Sequence, residues 1–276
     1  MAWQTLIGAG EATPETLQSM VVLDCRAALD DPKAGRRAWC DAHLPGALHA
    51  DLDRDLAAPV RADGRGGRHP LPDAERLRER AGRWGIGADT QVVVYDDVGG
   101  AFAARAWWCL RWLGHAAVAV LDGGLAAWTD RHGAAALERG EREAPGGAAL
   151  PPRAPLTRTV VAAEIAAGAG PLIDARARPR FDGEVEPIDP VAGHIPGALC
   201  LPHAGNLGPD GHFLSREDLA ARFADIGEDP ICYCGSGVTA AHNVLALRHA
   251  GRREPRLYVG SWSDWISDPS RPRAPA

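Results

Sequence analysis

The chain is written twice, which restricts it to folds that can be built in two copies. The first half carries Val21-Val22-Leu23-Asp24-Cys25-Arg26 and then His43-Leu44-Pro45-Gly46-Ala47. The second carries Pro171-Leu172-Ile173-Asp174-Ala175-Arg176 and then His194-Ile195-Pro196-Gly197-Ala198. A helix-like stretch follows in each half, with Leu77, Ala81 and Trp84 in one and Leu219 and Phe223 in the other. Ser215 with Asp218 reads as the cap of the latter. Next comes an apolar strand, Val92 to Tyr95 or Ile231 to Tyr233, and a helix ending near Gly114 or Gly251. A last strand covers Val118 to Leu121 or Leu257 to Val259. Strands alternating with helices predict an α/β fold with parallel sheets flanked by helices. Two copies predict two domains, 1–140 and 156–276, joined by a linker over 141–155 that is rich in Pro, Gly and Ala and without periodicity. The proline-rich tail from Asp268 reads as loosely attached.

The copies differ in the loop after the central strand. In the second half it is Cys234-Gly235-Ser236-Gly237-Val238-Thr239-Ala240, between the strand and a mostly apolar stretch to Ala250. Two glycines free the backbone so that loop N–H groups can turn towards the cysteine sulfur. The following helix start adds the positive end of its dipole. A thiol held in that setting loses its proton readily and becomes a nucleophile. The matching loop of the first half, Asp96-Asp97-Val98-Gly99-Gly100, has no thiol, so only the second copy carries this chemistry. The Cys232 thiol, two residues before Cys234, reads as a buried core group, because disulfide geometry disfavours such close neighbours. His43 and His194 recur in both halves, which favours a structural role. Trp107, Trp108, Trp112 and Trp128 read as packing residues.

Bulk properties narrow the partners. The net charge is −6, from 36 acidic and 30 basic residues, which argues against a nucleic-acid or anionic-membrane surface. No stretch is long and apolar enough to span a bilayer. The six cysteines form no regular framework, so the expected compartment is the reducing cytoplasm.

These motifs identify a family resemblance. The paired Asp-x-Arg and His-x-Pro-Gly-Ala elements, the Cys234 loop, and Gly260-Ser261-Trp262 with a second Trp at 265 are similar to those of the tandem-domain rhodaneses, or sulfurtransferases. The resemblance runs from about Thr5 to Pro269 and implies two rhodanese-like domains, each with a five-stranded parallel sheet flanked by helices. Thiosulfate enzymes of the family often place basic residues directly after the cysteine. Here Gly235 and Ser236 stand there, as in the members that act on 3-mercaptopyruvate. In those members the loop serine works with a histidine and an aspartate. The matching residues are Ser236, His69 in Arg68-His69-Pro70-Leu71-Pro72, and Asp53, with Asp51 and Asp55 as neighbouring carboxylates. Arg180, rather than Arg176 or Arg178, matches the arginine that binds the substrate carboxylate. Gly235, Gly237, Val238 and Thr239 complete the substrate loop. One feature departs from the family pattern. The segment Glu184 to Ala192 lacks the second arginine expected there, and Arg105 is one possible substitute.

The implied reaction is covalent sulfur transfer without a metal or organic cofactor. Cys234 takes sulfur from 3-mercaptopyruvate as a persulfide, releasing pyruvate. A thiol such as thioredoxin or glutathione, or cyanide, then accepts it. Thiosulfate as the donor is the close alternative, and a non-catalytic binding module is the alternative of another class. A dual-specificity phosphatase shares the single-domain fold but needs an arginine six positions after its cysteine, where this chain has Ala240.

Overall fold

Short apolar runs, several of them β-branched, form two sheets of five strands, and every pairing is parallel. The computed structural model describes residues 2–275 and divides into two units. One unit comprises the chain up to Ala57, Pro72–Leu156 and Pro209–His212. The other comprises Ala58–Leu71, Thr157–Gly208 and the chain from Phe213. Residues 58–71 therefore lie in the first repeat by sequence and in the second unit by structure.

The first sheet contains β1 (Leu6–Ile7), β2 (Val21–Asp24), β3 (Leu48–His49), β4 (Val92–Tyr95) and β5 (Val118–Leu121), in the order β1-β5-β4-β2-β3. The second contains β6 (Arg158–Thr159), β7 (Leu172–Asp174), β8 (Leu199–Cys200), β9 (Ile231–Tyr233) and β10 (Arg256–Leu257), in the order β6-β10-β9-β7-β8. The two orders are the same topology, so the expected tandem α/β fold is observed. β4 and β9 are central, with Leu23 opposite Val94 and Ile173 opposite Cys232. The strand order reverses at these central strands, and ligands of open α/β sheets bind beyond the carboxyl ends of strands at such a point.

The repeated motifs recur because each copy needs the same buried network. Asp24 holds Arg26 through both carboxylate oxygens and accepts the Tyr95 hydroxyl at 2.6 Å. Arg26 donates to Ala42 O at 2.6 Å, and Tyr95 Oη accepts the Leu44 N–H at 3.2 Å. In the second unit Asp174 holds Arg176, Arg176 donates to Gly193 O at 2.8 Å, and Tyr233 Oη accepts the Ile195 N–H at 3.2 Å. Each network ties the end of one strand to the His-x-Pro-Gly-Ala turn. The histidines hold the same turns: His43 donates to Trp39 O at 2.8 Å, and His194 to Phe181 O at 2.7 Å. Burial, with the neighbouring Asp24 or Asp174 carboxylate second, pushes both tyrosine hydroxyls well above their ordinary range.

Apolar cores fill each unit. Ile7, Leu17, Val93, Leu121 and Trp128 pack together in the first, and Ile165, Ile231, Tyr258, Trp262 and Trp265 in the second. Trp107 and Trp108 are wholly buried in the first unit. Ser215 Oγ accepts the Asp218 N–H at 3.1 Å and caps the helix Arg216–Arg222. Among the described residues no helix is long and apolar enough to cross a membrane. The tail differs from expectation. Ala274 pairs with His194 through its backbone, and Trp265 Nε1 donates to Pro272 O at 2.8 Å, so the chain is tied to the second unit as far as Ala274.

In the first unit the loop after β4 closes on Asp96, which is fully buried. Its carboxylate accepts the N–H groups of Val98, Gly100, Phe102 and Ala103 at 2.8–2.9 Å. Burial pushes this carboxyl up, and the backbone donors work against that push. Removing the carboxylate strands the donors. Asp96→Ala is expected to lower stability by about 3 kcal/mol, since each unsatisfied buried group costs roughly 1–3 kcal/mol. Asp97→Ala, at the exposed neighbour, is expected to stay within about 0.5 kcal/mol. Urea unfolding of the two variants checks this, and equal midpoints would dismiss the cradle.

Candidate active site

β9 delivers Cys234 to the carboxyl edge of the second sheet, the position that Asp96 takes after β4. The loop then turns sharply. Gly237 adopts φ +76°, and a Cβ there would lie 2.3 Å from Val259 O. This conformation and this close approach both require glycine. The turn brings the Gly237 N–H to 3.1 Å from Cys234 Sγ, and the sulfur accepts its hydrogen bond. Cys234 is 2 % exposed. Val238 follows, buried, and Thr239 opens the helix Thr239–His249, whose positive end faces the loop.

Ser261 locks the other side of the loop. Its Oγ accepts the Cys234 N–H at 3.1 Å and donates to Tyr258 O at 2.9 Å. It is a non-glycine residue in the left-handed region, at φ +54°. Strain of this kind persists only where surrounding contacts fix it. Two further bonds hold the loop to the same segment: Trp262 N–H to Cys234 O at 2.9 Å and Ser263 N–H to Gly235 O at 3.0 Å. The Gly-Ser-Trp motif is visible in the sequence, but its grip on the Cys234 backbone is not.

Ser236 and His69 meet. His69 Nδ1 lies 2.7 Å from Ser236 Oγ, and both side chains are buried. His69 arrives on residues 58–71, which are anchored in the second unit by Arg68 N–H to Ser263 Oγ at 3.1 Å and Gly66 N–H to Asp264 Oδ1 at 2.8 Å. Asp53 belongs to the first unit. Of the carboxylates around it, Asp55 holds Arg54 and Arg80 at 3.1 and 3.0 Å. Asp51 Oδ1 accepts the N–H groups of Asp53 and Arg54 at 3.0 and 2.9 Å. Those two are built into the turn, whereas Asp53 is exposed. Partial desolvation, with the Asp51 carboxylate second, pushes the Asp53 carboxyl up.

The three candidate arginines separate clearly. Arg176 is buried on Asp174 and over the Trp262 ring at 5.1 Å, a structural position. Arg178 is largely exposed beside Asp182. Arg180 reaches the loop: a Cβ on Gly235 would lie 3.5 Å from Arg180 Nη2 and 2.9 Å from Arg68 Nη2. Arg180 donates to Glu186 at 2.6 and 3.2 Å and to Asp189 at 3.2 Å. Burial works against the Glu186 charge, yet Arg180 and two backbone N–H groups hold its carboxyl below the usual range. Burial pushes the Asp189 carboxyl up, with Arg68 pulling the other way. Arg105 lies wholly buried in the first unit, donating to Leu56 O at 3.2 Å and stacked over Trp108. The Cys232 thiol is fully buried on β9, and burial pushes it far up, which makes it inert.

A strand that ends in a cysteine, a glycine turn that donates an N–H to its sulfur, and the same topology twice define the architecture. Comparison with known proteins decides the family. The rhodanese-like domain matches residues 12–131 and again 157–268. The chain belongs to the rhodanese-like domain family. It is 54% identical over 266 residues to a Pseudomonas aeruginosa protein named as a 3-mercaptopyruvate sulfurtransferase, covering 92% of each chain. It is 44% identical over 259 residues to SseB of Mycobacterium tuberculosis, a protein named as a thiosulfate sulfurtransferase, covering 91% of this chain and 89% of that one. The crystal structure of SseA from Escherichia coli, described with the rhodanese fold and mechanism of 3-mercaptopyruvate sulfotransferases, superposes with a TM-score of 0.78 at 30% identity. That superposition covers 94% of this chain and 99% of SseA.

The loop geometry predicts how Gly237 behaves. Gly237→Ala places a methyl against Val259 O and forces the turn open, so alkylation of Cys234 by iodoacetamide is expected to slow by about tenfold, as a lost N–H donor destabilises the thiolate. Gly251→Ala, at φ +82° with nothing near its Cβ, carries only the left-handed backbone cost of about 1 kcal/mol. It should leave that rate unchanged. Equal rates in both variants would show that the Gly237 turn does not tune the sulfur.

Proposed function

We propose that this sulfurtransferase takes its sulfur from 3-mercaptopyruvate through a persulfide on Cys234. The observation that carries this reading is the 2.7 Å contact between His69 Nδ1 and Ser236 Oγ, two residues along the loop from the nucleophile. A mercaptopyruvate donor has a proton to move, because its thiol is protonated and its leaving group is an enolate. Thiosulfate has none at neutral pH, so a buried Ser–His pair has no task in its turnover.

In the first step the Cys234 thiolate attacks the donor sulfur. The carbon–sulfur bond breaks with its electron pair going to carbon, giving the enolate of pyruvate. The proton of the donor thiol passes by way of Ser236 and His69 to that enolate carbon, leaving pyruvate and a Cys234 persulfide anion. The family resemblance assigns to Asp53 the role of the histidine's carboxylate partner. Arg180 binds the donor carboxylate, for which a planar fork is better shaped than an ammonium. Gly235, Gly237, Val238 and Thr239 shape the loop around the persulfide. In the second step an acceptor thiol, of thioredoxin or glutathione, or cyanide takes the outer sulfur and returns the thiolate. The cytoplasm suits this chemistry, since all six cysteines are unpaired, as in a reducing compartment.

Incubation with 3-mercaptopyruvate is expected to add the mass of one sulfur atom to Cys234 and to release pyruvate, with neither seen in Cys234→Ser. A higher kcat/KM for thiosulfate than for 3-mercaptopyruvate would overturn the donor assignment. His69→Ala and Ser236→Ala are expected to reduce mercaptopyruvate turnover by about 10²–10⁴-fold, the usual weight of general acid–base catalysis. Their effect on thiosulfate turnover should be much smaller. Equal losses on both donors would remove the proton relay.

A further inference from the structure

The loop Glu184 to Ala192 contains no cation, yet a second arginine stands beside the nucleophile. Arg68 comes from residues 58–71, and its Nη2 would lie 2.9 Å from a Cβ on Gly235. Arg180 flanks the same position, its Nη2 at 3.5 Å and Nη1 at 3.7 Å. The two guanidiniums converge on one carboxylate. Asp189 Oδ1 makes a close ion pair with Arg68 Nη1, and Asp189 Oδ2 lies 3.2 Å from Arg180 Nη2. We propose that Arg68 and Arg180 form the carboxylate-binding fork of the donor site, and that Asp189 occupies this fork as a built-in competitor which the donor carboxylate displaces.

The charge balance supports displacement over addition. Arg68, Arg176 and Arg180 are matched in this cluster by Asp174, Glu186 and Asp189. A donor carboxylate entering on top of these would leave a buried excess negative charge, which is costly. Replacing Asp189 keeps the cluster neutral. Of the two loop carboxylates, Asp189 is the one that can leave. Glu186 is bound by Arg176 as well as Arg180 and accepts two backbone N–H groups at 3.1 Å. Asp189 pairs with the two fork arginines, and it lies in a loop without regular structure between the exposed residues Ile188 and Pro190. Burial disfavours its charged form, which eases its exit. Gly235 fits the same picture: any side chain there would enter the space of the guanidiniums, so the cation is supplied through space and not by the loop sequence.

The identity of the anion rests on the mercaptopyruvate reading, but the fork does not. Iodoacetate and iodoacetamide separate the two. Both alkylate a thiolate with loss of iodide, and they differ in one carboxylate. The readout is the ratio of their rates at Cys234, followed by peptide mass spectrometry, with the iodoacetamide rate reporting that the loop is intact. Arg68→Ala is expected to lower the iodoacetate-to-iodoacetamide ratio by about tenfold, the weight of one charged hydrogen bond. Arg68→Lys should retain part of it, because charge survives while the fork is lost. Asp189→Asn, of nearly the same shape, is expected to raise the ratio several-fold. A ratio unmoved by Arg68→Ala or Arg68→Lys overturns the role of Arg68. A ratio unmoved or lowered by Asp189→Asn overturns the competitor. Should Arg68→Ala fail to fold, Arg68→Lys and Asp189→Asn carry the test. Shifted ratios in an enzyme that releases no pyruvate from 3-mercaptopyruvate would keep the fork and remove the donor. Pyruvate release with unmoved ratios would do the reverse.

Discussion

Everything in this protein turns on what a parallel strand does with the charge at its carboxyl end. In both units the central strand stops at a tyrosine, and the side chain of the next residue accepts hydrogen bonding from backbone N–H of the loop that follows. In the first unit that residue is Asp96, with four donors on its carboxylate. In the second it is Cys234, with the Gly237 N–H on its sulfur. The copy without a thiol shows what the loop is built to hold. A buried carboxyl group sits in one copy where the other has a thiol, so the N–H cradle comes with the fold while the group it holds differs between the copies.

The repeat was legible because its signals lie in interactions between residues near in sequence. Asp24 and Arg26, or Asp174 and Arg176, are two residues apart and bond each other directly. The glycine turns, the Ser215 cap and the helix after Cys234 are equally local. What the sequence concealed is long-range. The two-residue strands β6 and β8 carry too little pattern to be placed by alternation and exist because a neighbouring strand pairs with them, while β10 lies at Arg256–Leu257, overlapping at its start the expected run from Leu257 to Val259. The tail from Asp268 reads as loose by its prolines, but its backbone pairs with His194.

The site divides along the same line. Cys234, Ser236 and the glycines announce themselves as a contiguous loop. His69 and Arg68 do not, since 167 residues separate His69 from the serine it touches. The cation missing from the segment after Arg180 pointed to a substitute, and the helix residue Arg105 was a natural candidate by type. The structure gives Arg105 to the core of the first unit and brings Arg68 to Gly235. Asp96 was the least legible residue of all, because a carboxylate beside another carboxylate looks like a solvated loop end. Its burial depends on the glycines and the helix that follow it.

The passage of residues 58–71 into the second unit makes that unit depend on a segment of the first repeat. The half that carries Cys234 and Arg180 carries neither His69 nor Arg68 in its own sequence. A gene fragment beginning at the second repeat would encode the sheet, Cys234, Arg180 and the glycine turn, but neither His69 nor Arg68. A substitution in this stretch of the first repeat is therefore felt in the unit that carries Cys234.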